Sequence, residues 1–66
     1  MNVTINGQPR EVPSGTTVEE LVRMVTDQVK GIAAAVNGEV LPRRSWAATP
    51  LSDRDQVEVV TAVQGG

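Results

Sequence analysis

The residues best suited to chemistry stand at the end of the sequence, where Gln64-Gly65-Gly66 follows a run of β-branched residues. These three residues offer no apolar side chain to bury, and the two glycines lack a Cβ. Because glycine loses the most conformational freedom on folding, we expect residues 64–66 to form a mobile tail. The chemistry available to this tail is that of the carboxylate on Gly66. The pattern therefore predicts a thin segment that carries a carboxylate to a site on another molecule.

The rest of the inventory holds few groups suited to catalysis. The 66 residues contain no histidine and no cysteine. This removes the commonest general base, the commonest metal ligand, a thiolate nucleophile and any disulfide. A freestanding enzyme is therefore disfavoured, and we expect the domain itself to bind no cofactor and no metal.

Charge and composition also restrict the possible partners. The formal net charge is −2, and Trp46 is the only aromatic residue, so neither phosphate attraction nor base stacking favours nucleic acid. No apolar run is long enough to span a membrane, and no basic-then-apolar leader precedes the domain. We expect a cytoplasmic monomer with neither a membrane nor a nucleic acid as partner.

The strand that leads into the tail is predicted over residues 57–63. This segment has β-branched side chains at five positions and neither proline nor glycine, which favours a strand paired on both edges. Alternation directs successive side chains to opposite faces of the sheet. The predicted core set is Val57, Val59, Thr61 and Val63, and the opposite set is Glu58, Val60 and Ala62. We expect the opposite set to form a docking face for a partner, because two glycines offer little contact area.

The other strands are separated by tight turns. Asn6-Gly7 and Asn37-Gly38 both favour type I′ turns, which require positive φ. Pro9 and Pro42 mark the second and fourth strands as sheet edges, because proline cannot donate to a ladder. The predicted strands are residues 2–5, 8–12, 32–36, 39–41 and 57–63.

One helix is predicted between the second and third strands. Thr17 and Glu20 form the pattern of a capping box, with Thr17 as the N-cap. The apolar residues at helical spacing are Val18, Leu21, Val22, Val25 and Val29. Lys30 near the end suits the helix dipole, and Gly31 is the expected stop. Valine is a mediocre helix former, so packing against a sheet must hold this helix in place.

The order of elements, β-β-α-β-β-β, restricts the topology. If the two strands with proline are edges and the last strand is central, the sheet is mixed and ordered 2-1-5-3-4, with strands 1 and 5 parallel. One helix then packs on one face. The sequence therefore predicts an α+β protein with the β-grasp, or ubiquitin-like, fold. The single domain is predicted to span residues 1–63, with the tail at residues 64–66.

The remaining distinctive residues have structural interpretations. We expect Trp46 to cap part of the core, with one helical turn around it. Arg43 and Arg44 are interpreted as a solvated pair. Asp53 and Asp55 are interpreted as turn formers, since no third ligand for a metal lies near them in the sequence.

Three parts of the sequence together resemble a known family. They are Asn6-Gly7, the segment of residues 36–43 (Val-Asn-Gly-Glu-Val-Leu-Pro-Arg) with Trp46 after it, and the ending over residues 57–66. In these features the chain resembles the ThiS-type sulfur carriers, which belong to the ubiquitin-like and MoaD-like proteins. The resemblance covers essentially the whole chain. It departs at Arg54, where relatives usually have glycine, and this difference concerns only a turn.

The resemblance implies that Gly66 is the residue that is modified. A ThiF-like adenylyltransferase would use ATP and Mg²⁺ to make an acyl adenylate on it, with Gln64 and Gly65 threading the partner's site. Sulfur from a cysteine desulfurase relay would then give a thiocarboxylate, and a ThiG-like thiazole synthase would take the sulfur for the thiazole of thiamine. An α-carboxyl group has a pKa of about 3.5 and is an anion at pH 7. It can therefore attack a phosphate only where a partner neutralises the repulsion.

The sequence leaves three other functions open. The chain could be a MoaD-like carrier for molybdopterin synthase, a protein modifier joined to lysines, or a non-covalent binding module with an incidental tail. The mass of the protein separates most of these, because a carrier exchanges oxygen for sulfur and a modifier forms conjugates. Capture of the partner protein separates thiazole from molybdopterin synthesis.

Overall fold

The last strand lies at the centre of a five-stranded sheet, as its composition predicts. The computed structural model describes residues 1–28 and 30–61. Its elements are β1 (Asn2–Ile5), β2 (Gln8–Glu11), α1 (Val18–Val25), β3 (Ile32–Val36), β4 (Glu39–Leu41), a 3₁₀ helix (Arg43–Ala48) and β5 (Gln56–Thr61). The sheet order is β2-β1-β5-β3-β4. This confirms the predicted α+β class and the β-grasp fold.

The pairing directions also follow the prediction. β5 runs parallel to β1 on one side and antiparallel to β3 on the other. β2 and β4 are the edges, each paired antiparallel with its hairpin partner. Pro9 lies in edge strand β2, opposite Thr4, where its missing N–H leaves no gap in an interior ladder. Both Asn-Gly turns have positive φ at the asparagine and at the glycine.

The helix begins where the sequence predicts and ends earlier. Thr17 is the N-cap, and its capping box with Glu20 is complete in both directions. The predicted continuation to Gly31 is wrong, because the helix ends at Val25 and Thr26 adopts extended backbone. Val25, the last residue of the helix, is exposed. Its burial therefore does not compensate for the poor helix propensity of the β-branched residues Val25 and Thr26.

Two predicted features of the helix change with this early end. Arg23, rather than Lys30, is the basic residue in the last turn. Gly31 has a φ of 69° and precedes β3, so its left-handed backbone belongs to the entry into the strand. The prediction for Val29 lies outside the described residues.

The core fills the space between the sheet and the elements that cover one of its faces. Its buried members are Val3, Ile5, Val12, Val18, Leu21, Val22, Ala34, Trp46, Leu51, Val57 and Val59. Trp46 belongs to this core instead of only capping it: the side chain is 3% exposed. Its indole Nε1–H donates to the carbonyl oxygen of Leu41 at 2.9 Å, so the one polar atom of the ring is satisfied.

The turn before β5 is built by its aspartates, as predicted. Asp55 accepts hydrogen bonds from the backbone N–H of Ser52 and from the side chain of Asn37. Asp53 accepts from the backbone N–H of Asn2. Arg54 lies between them with a φ of 72°, a left-handed backbone that glycine adopts with less strain. This turn sets the point at which the chain enters β5.

Residues 1–28 and 30–61 contain no candidate for a membrane-spanning helix. None of the described helices has the length and apolar character needed to cross a bilayer.

Candidate functional site

The candidate site begins with β5, the strand that leads to the tail. Five residue pairs join β5 to β3, from Val36 opposite Val57 to Ile32 opposite Thr61. On the other side, β1 reaches only as far as Ile5 opposite Val57. β5 is therefore held by regular pairing on one side for its full described length and on the other side for only its first part. The predictions for Ala62, Val63 and the tail residues 64–66, Gly66 included, lie outside the described residues.

Where β1 stops pairing with β5, the Asn6 side chain makes the hydrogen bonds to β5 on that side. Its Nδ2–H donates to the carbonyl oxygen of Val59 at 3.1 Å, and its Oδ1 accepts from the N–H of Val59 at 2.8 Å. Sequence reasoning predicted only a turn at this position. The signal was the asparagine itself, since its carboxamide offers the same donor and acceptor as a peptide group.

The second Asn-Gly turn makes a similar connection at the other end of β5. Asn37 accepts from the N–H of Gln56 through Oδ1 at 3.0 Å and donates from Nδ2 to Asp55 at 3.0 Å. Its backbone N–H also donates to the carbonyl oxygen of Gln56 at 2.7 Å. The central strand is thus bound near both ends by asparagine side chains.

The two faces of β5 are assigned as the alternation predicts. Val57 is 1% exposed and Val59 is 7% exposed, whereas Val60 is 59% exposed. Glu58 is also exposed. Thr61 is the exception, because it was placed in the core set and is exposed. It pairs with half-buried Ile32 at the edge of the core, beyond the last buried position of the strand.

The open face of the sheet carries an apolar strip wider than β5. Val60 lies opposite Ala33, and Ala35 lies between Glu58 on one side and Val40 on the other. Val40 is 72% exposed. The small alanine side chains leave a shallow, mostly apolar groove between the two valines.

We call this strip the open-face groove; it is lined by Ala33, Ala34, Ala35, Val40, Glu58 and Val60. Sequence reasoning found Glu58 and Val60 but missed the alanines and Val40. The alternation of β3 and β4 contained part of the signal, because it places Ala33, Ala35 and Val40 on one face, where neighbouring apolar residues form a patch.

Two cations border the groove at the end where β5 stops. Lys30 and Arg43 line a continuation of the open face together with Ala33 and Val60. The guanidinium carbon of Arg43 lies 5.6 Å from the centroid of the Trp46 ring, within the range of a cation–π interaction. Arg43 and Arg44 are both exposed, as predicted for a solvated pair. Arg43 differs in being stacked on the core tryptophan, which fixes its charge beside the groove.

Two of the curated proteins that resemble this chain are named sulfur carrier proteins. The chain is 32% identical over 66 residues to the sulfur carrier protein ThiS of Escherichia coli, and the match covers all of both chains. It is 38% identical over 64 residues to ThiS of Thermus thermophilus, covering 97% of this chain and 98% of that one. A further match of 33% identity over 66 residues occupies 20% of the thiazole synthase of Magnetococcus marinus.

The fold is shared with a solved structure, and a family description matches nearly the whole sequence. The crystal structure of the thiamine biosynthesis protein ThiS from Geobacter metallireducens superposes with a TM-score of 0.84 at 36% identity, covering all of both chains. The family model described as the ThiS family matches residues 3–66, including the tail. The chain therefore belongs to the ThiS family, the sulfur carriers of thiamine biosynthesis, as the resemblance in its sequence implied.

Proposed function

We propose that the chain carries sulfur as a thiocarboxylate on Gly66. The observation that carries this proposal is the family match, which runs through residue 66 and so includes the Gly-Gly that follows the central strand. The described part of β5 pairs with β3 along its whole length and with β1 at its start, so the chain is held firmly ahead of the tail. Three residues in extended conformation would reach about 10 Å, enough to enter a site that the domain itself cannot enter.

The proposed reaction uses the carboxylate in three steps. In the first, a carboxylate oxygen of Gly66 bonds to the α-phosphorus of ATP, and pyrophosphate leaves with the broken phosphoanhydride bond. In the second, the outer sulfur of a persulfide attacks the acyl carbon of the adenylate, and AMP leaves as the carbon–oxygen bond breaks. A thiol then cleaves the sulfur–sulfur bond of the resulting acyl disulfide, which releases the thiocarboxylate and forms a new disulfide. Adenylation is needed because the anion is a poor electrophile until it acquires a leaving group. Residues Gln64 and Gly65 would thread the partner's site, where a Cβ at position 65 or 66 would clash.

The chain would act as a protein co-substrate in this scheme, without a catalytic group or a cofactor of its own. The ATP and Mg²⁺ would belong to a ThiF-like adenylyltransferase, and the sulfur would arrive through a cysteine desulfurase relay. The lack of histidine and cysteine in the sequence supports this division of work, because neither a general base nor a persulfide carrier is available in the chain. With these partners, the cytoplasm is the proposed location of the reaction.

Thiazole synthase is the proposed acceptor of the sulfur. The thiazole synthase of Magnetococcus marinus contains a segment similar to all 66 residues of this chain. The same holds for the thiazole synthase of Paramagnetospirillum magneticum, at 32% identity. A carrier-like segment within a synthase chain supports a functional association between carrier and synthase. When the two are separate chains, the carrier would reach the synthase by docking.

The open-face groove is the proposed docking surface for the adenylyltransferase. The tail has little area for contact, so the affinity must come from the body of the domain. The groove is apolar, and it lies on the strand that leads into the tail, with Glu58 and Val60 from β5. We include Ala62, which the alternation assigns to the same face. Lys30 and Arg43 border the groove, so the complementary surface would be apolar with carboxylates at its edge.

The Val60→Asp variant is expected to weaken docking without unfolding the domain. Val60 is 59% exposed, so an aspartate there stays hydrated. In the complex, the carboxylate would be buried against an apolar surface, which raises the KM for the carrier about tenfold, or about 1.4 kcal/mol. The measurement is ATP–pyrophosphate exchange at varied carrier concentration. Met24→Asp is the matched control, since Met24 is an exposed apolar residue on the helix. An unchanged KM for Val60→Asp, or equal KM increases for both variants, would remove the groove as the docking surface.

The proposed function is tested by adenylation of the purified chain with a ThiF-type enzyme. We expect carrier-dependent exchange of labelled pyrophosphate into ATP, which requires reversible formation of the acyl adenylate. Failure of the wild-type chain to support exchange with any such enzyme, together with conjugates to lysine in its own host, would favour a protein modifier instead.

A further inference from the structure

The Asn6 side chain continues the β1–β5 ladder after β1 itself has ended. Regular parallel pairing stops with Ile5 opposite Val57, and the backbone N–H of Asn6 still donates to the carbonyl oxygen of Val57 at 2.9 Å. At Asn6 the chain turns away with a φ of 50°. Its carboxamide then makes the two hydrogen bonds to Val59 that the next peptide groups of a longer strand would have made. The β1–β5 hydrogen-bond ladder therefore extends by one further rung, at Val59, beyond the last residue of β1.

This rung lies at Val59, in the second half of β5, which leads toward the tail. Val59 is the last residue of β5 that is buried in the core, and Gly66 follows it by seven positions. Without the carboxamide, the section of β5 after Val57 would keep hydrogen bonds to β3 but lose those on the β1 side. A strand held on one edge only can twist or peel, and the direction of the tail would change with it.

We propose that Asn6 is a positioning residue for the sulfur-carrying tail, a role that rests on the proposed function of Gly66. The carboxamide fixes the end of β5, so that a docked domain presents its tail in one direction to the partner's site. Asn6 does not line the open-face groove, and the pairing of Val60 with Ala33 on the other side of β5 does not depend on it, so we expect the groove to stay formed when Asn6 is substituted. Substitution of Asn6 should therefore lower kcat, which reports adenylation within the complex. It should leave KM unchanged, because KM reports the formation of the complex.

The second Asn-Gly turn provides a matched control. Asn37 has a φ of 51°, is followed by glycine and binds β5 through its carboxamide, but at Gln56, the other end of the strand. Replacing either asparagine with alanine removes two side-chain hydrogen bonds and the residue best suited to positive φ after glycine. Both variants should therefore lose a comparable amount of thermal stability. They differ in whether the lost contact lies at the tail end of the strand.

The test is steady-state adenylation of full-length Asn6→Ala and Asn37→Ala carriers, measured well below both melting temperatures. For Asn6→Ala we expect kcat to fall about tenfold at unchanged KM for the carrier, because misdirection of a reacting group slows the step after binding. For Asn37→Ala we expect kcat close to that of the wild type. Asn6→Asp should behave like Asn6→Ala, since it places a carboxylate oxygen against the carbonyl oxygen of Val59. Equal kcat for the two alanine variants, or a change in KM alone, would overturn the proposal.

Amide hydrogen exchange gives a readout that does not depend on the partner enzyme. In Asn6→Ala, exchange at residues 59–61 should accelerate relative to residues 56–57, and in Asn37→Ala the order should reverse. Unchanged exchange at residues 59–61 would overturn the role of Asn6 even if kcat fell. If the wild-type chain is not adenylated, the proposed function fails, and exchange then decides by itself whether Asn6 holds the end of β5.

Discussion

Deletion of Gly66 is expected to abolish adenylation and to leave the folded domain intact. The deleted chain still ends in a glycine carboxylate, but this carboxylate is one residue, or about 3.5 Å, short of the position that the α-phosphate requires. A displacement of that size removes in-line attack, and activity should fall by at least about a hundredfold. The buried core lies between Val3 and Val59, so the free energy of unfolding should change by no more than about 0.5 kcal/mol.

Two further carriers make this expectation specific to the position of the carboxylate. A chain extended by one glycine keeps both Gly65 and Gly66 but moves the carboxylate outward, and it should be equally inactive. A Gln64→Ala chain keeps the length and the carboxylate, and it should retain exchange activity. The measurement is ATP–pyrophosphate exchange alongside thermal unfolding. An unchanged exchange rate in the deleted chain would show that Gly66 is not the acceptor of the adenylyl group.

The Val59→Asp variant is expected to unfold the domain. Val59 is 7% exposed and belongs to the core under the helix, so the new carboxylate would be buried without a partner. Burial of an unpaired charged group costs several kcal/mol, comparable to the whole stability of so small a domain. We expect the cooperative thermal transition seen by circular dichroism to disappear at neutral pH.

The neighbouring position supplies the control for this variant. Val60 lies on the other face of the same strand and is 59% exposed, so Val60→Asp introduces the same charge into water. Its free energy of unfolding should fall only by the amount expected for aspartate in a strand, about 1 kcal/mol. Its melting temperature should therefore fall only slightly. Equal falls in melting temperature for the two variants would contradict the assignment of the faces of β5.

The strands could be predicted from local patterns because proline, Asn-Gly and β-branched residues restrict them strongly. Pro9 and Pro42 marked β2 and β4 as edges, and the β-branched last segment, which lacks proline and glycine, favoured a strand with two neighbours. Together these constraints left one sheet order, which is the observed one. The start of the helix was equally well determined by Thr17 and Glu20, since a capping box is a local feature.

The end of the helix could not be predicted in the same way. Val25 continues the apolar spacing, and Gly31 is a reasonable stop, so the sequence pattern runs past the true end. The end of the helix reflects its tertiary surroundings: Val22 is the last buried residue of the described helix, Val25 is exposed, and Thr26 is already extended. Hydrophobic spacing shows which face a helix would bury but not how much of the sheet there is to cover.

The candidate site was predicted in part for a related reason. Glu58 and Val60 follow from alternation within one strand, which is a local property. Val40 and Ala33 join them only through the pairing of three strands, and Asn6 meets Val59 across a separation of 53 residues. Contacts of this kind depend on the register of the sheet, and the register is fixed by the whole fold.

The central claim, that Gly66 becomes a thiocarboxylate, is tested most directly by the intact mass of the carrier. The chain is incubated with the adenylyltransferase, ATP and Mg²⁺, a persulfide-bearing cysteine desulfurase and a reducing thiol that cleaves the acyl disulfide, and its mass is measured before and after. We predict a mass increase equal to the replacement of one oxygen atom by sulfur, located on Gly66 by fragmentation and absent when ATP is omitted. An unchanged mass in a reaction that converts a known ThiS carrier, or sulfur found on any residue other than Gly66, would contradict the account.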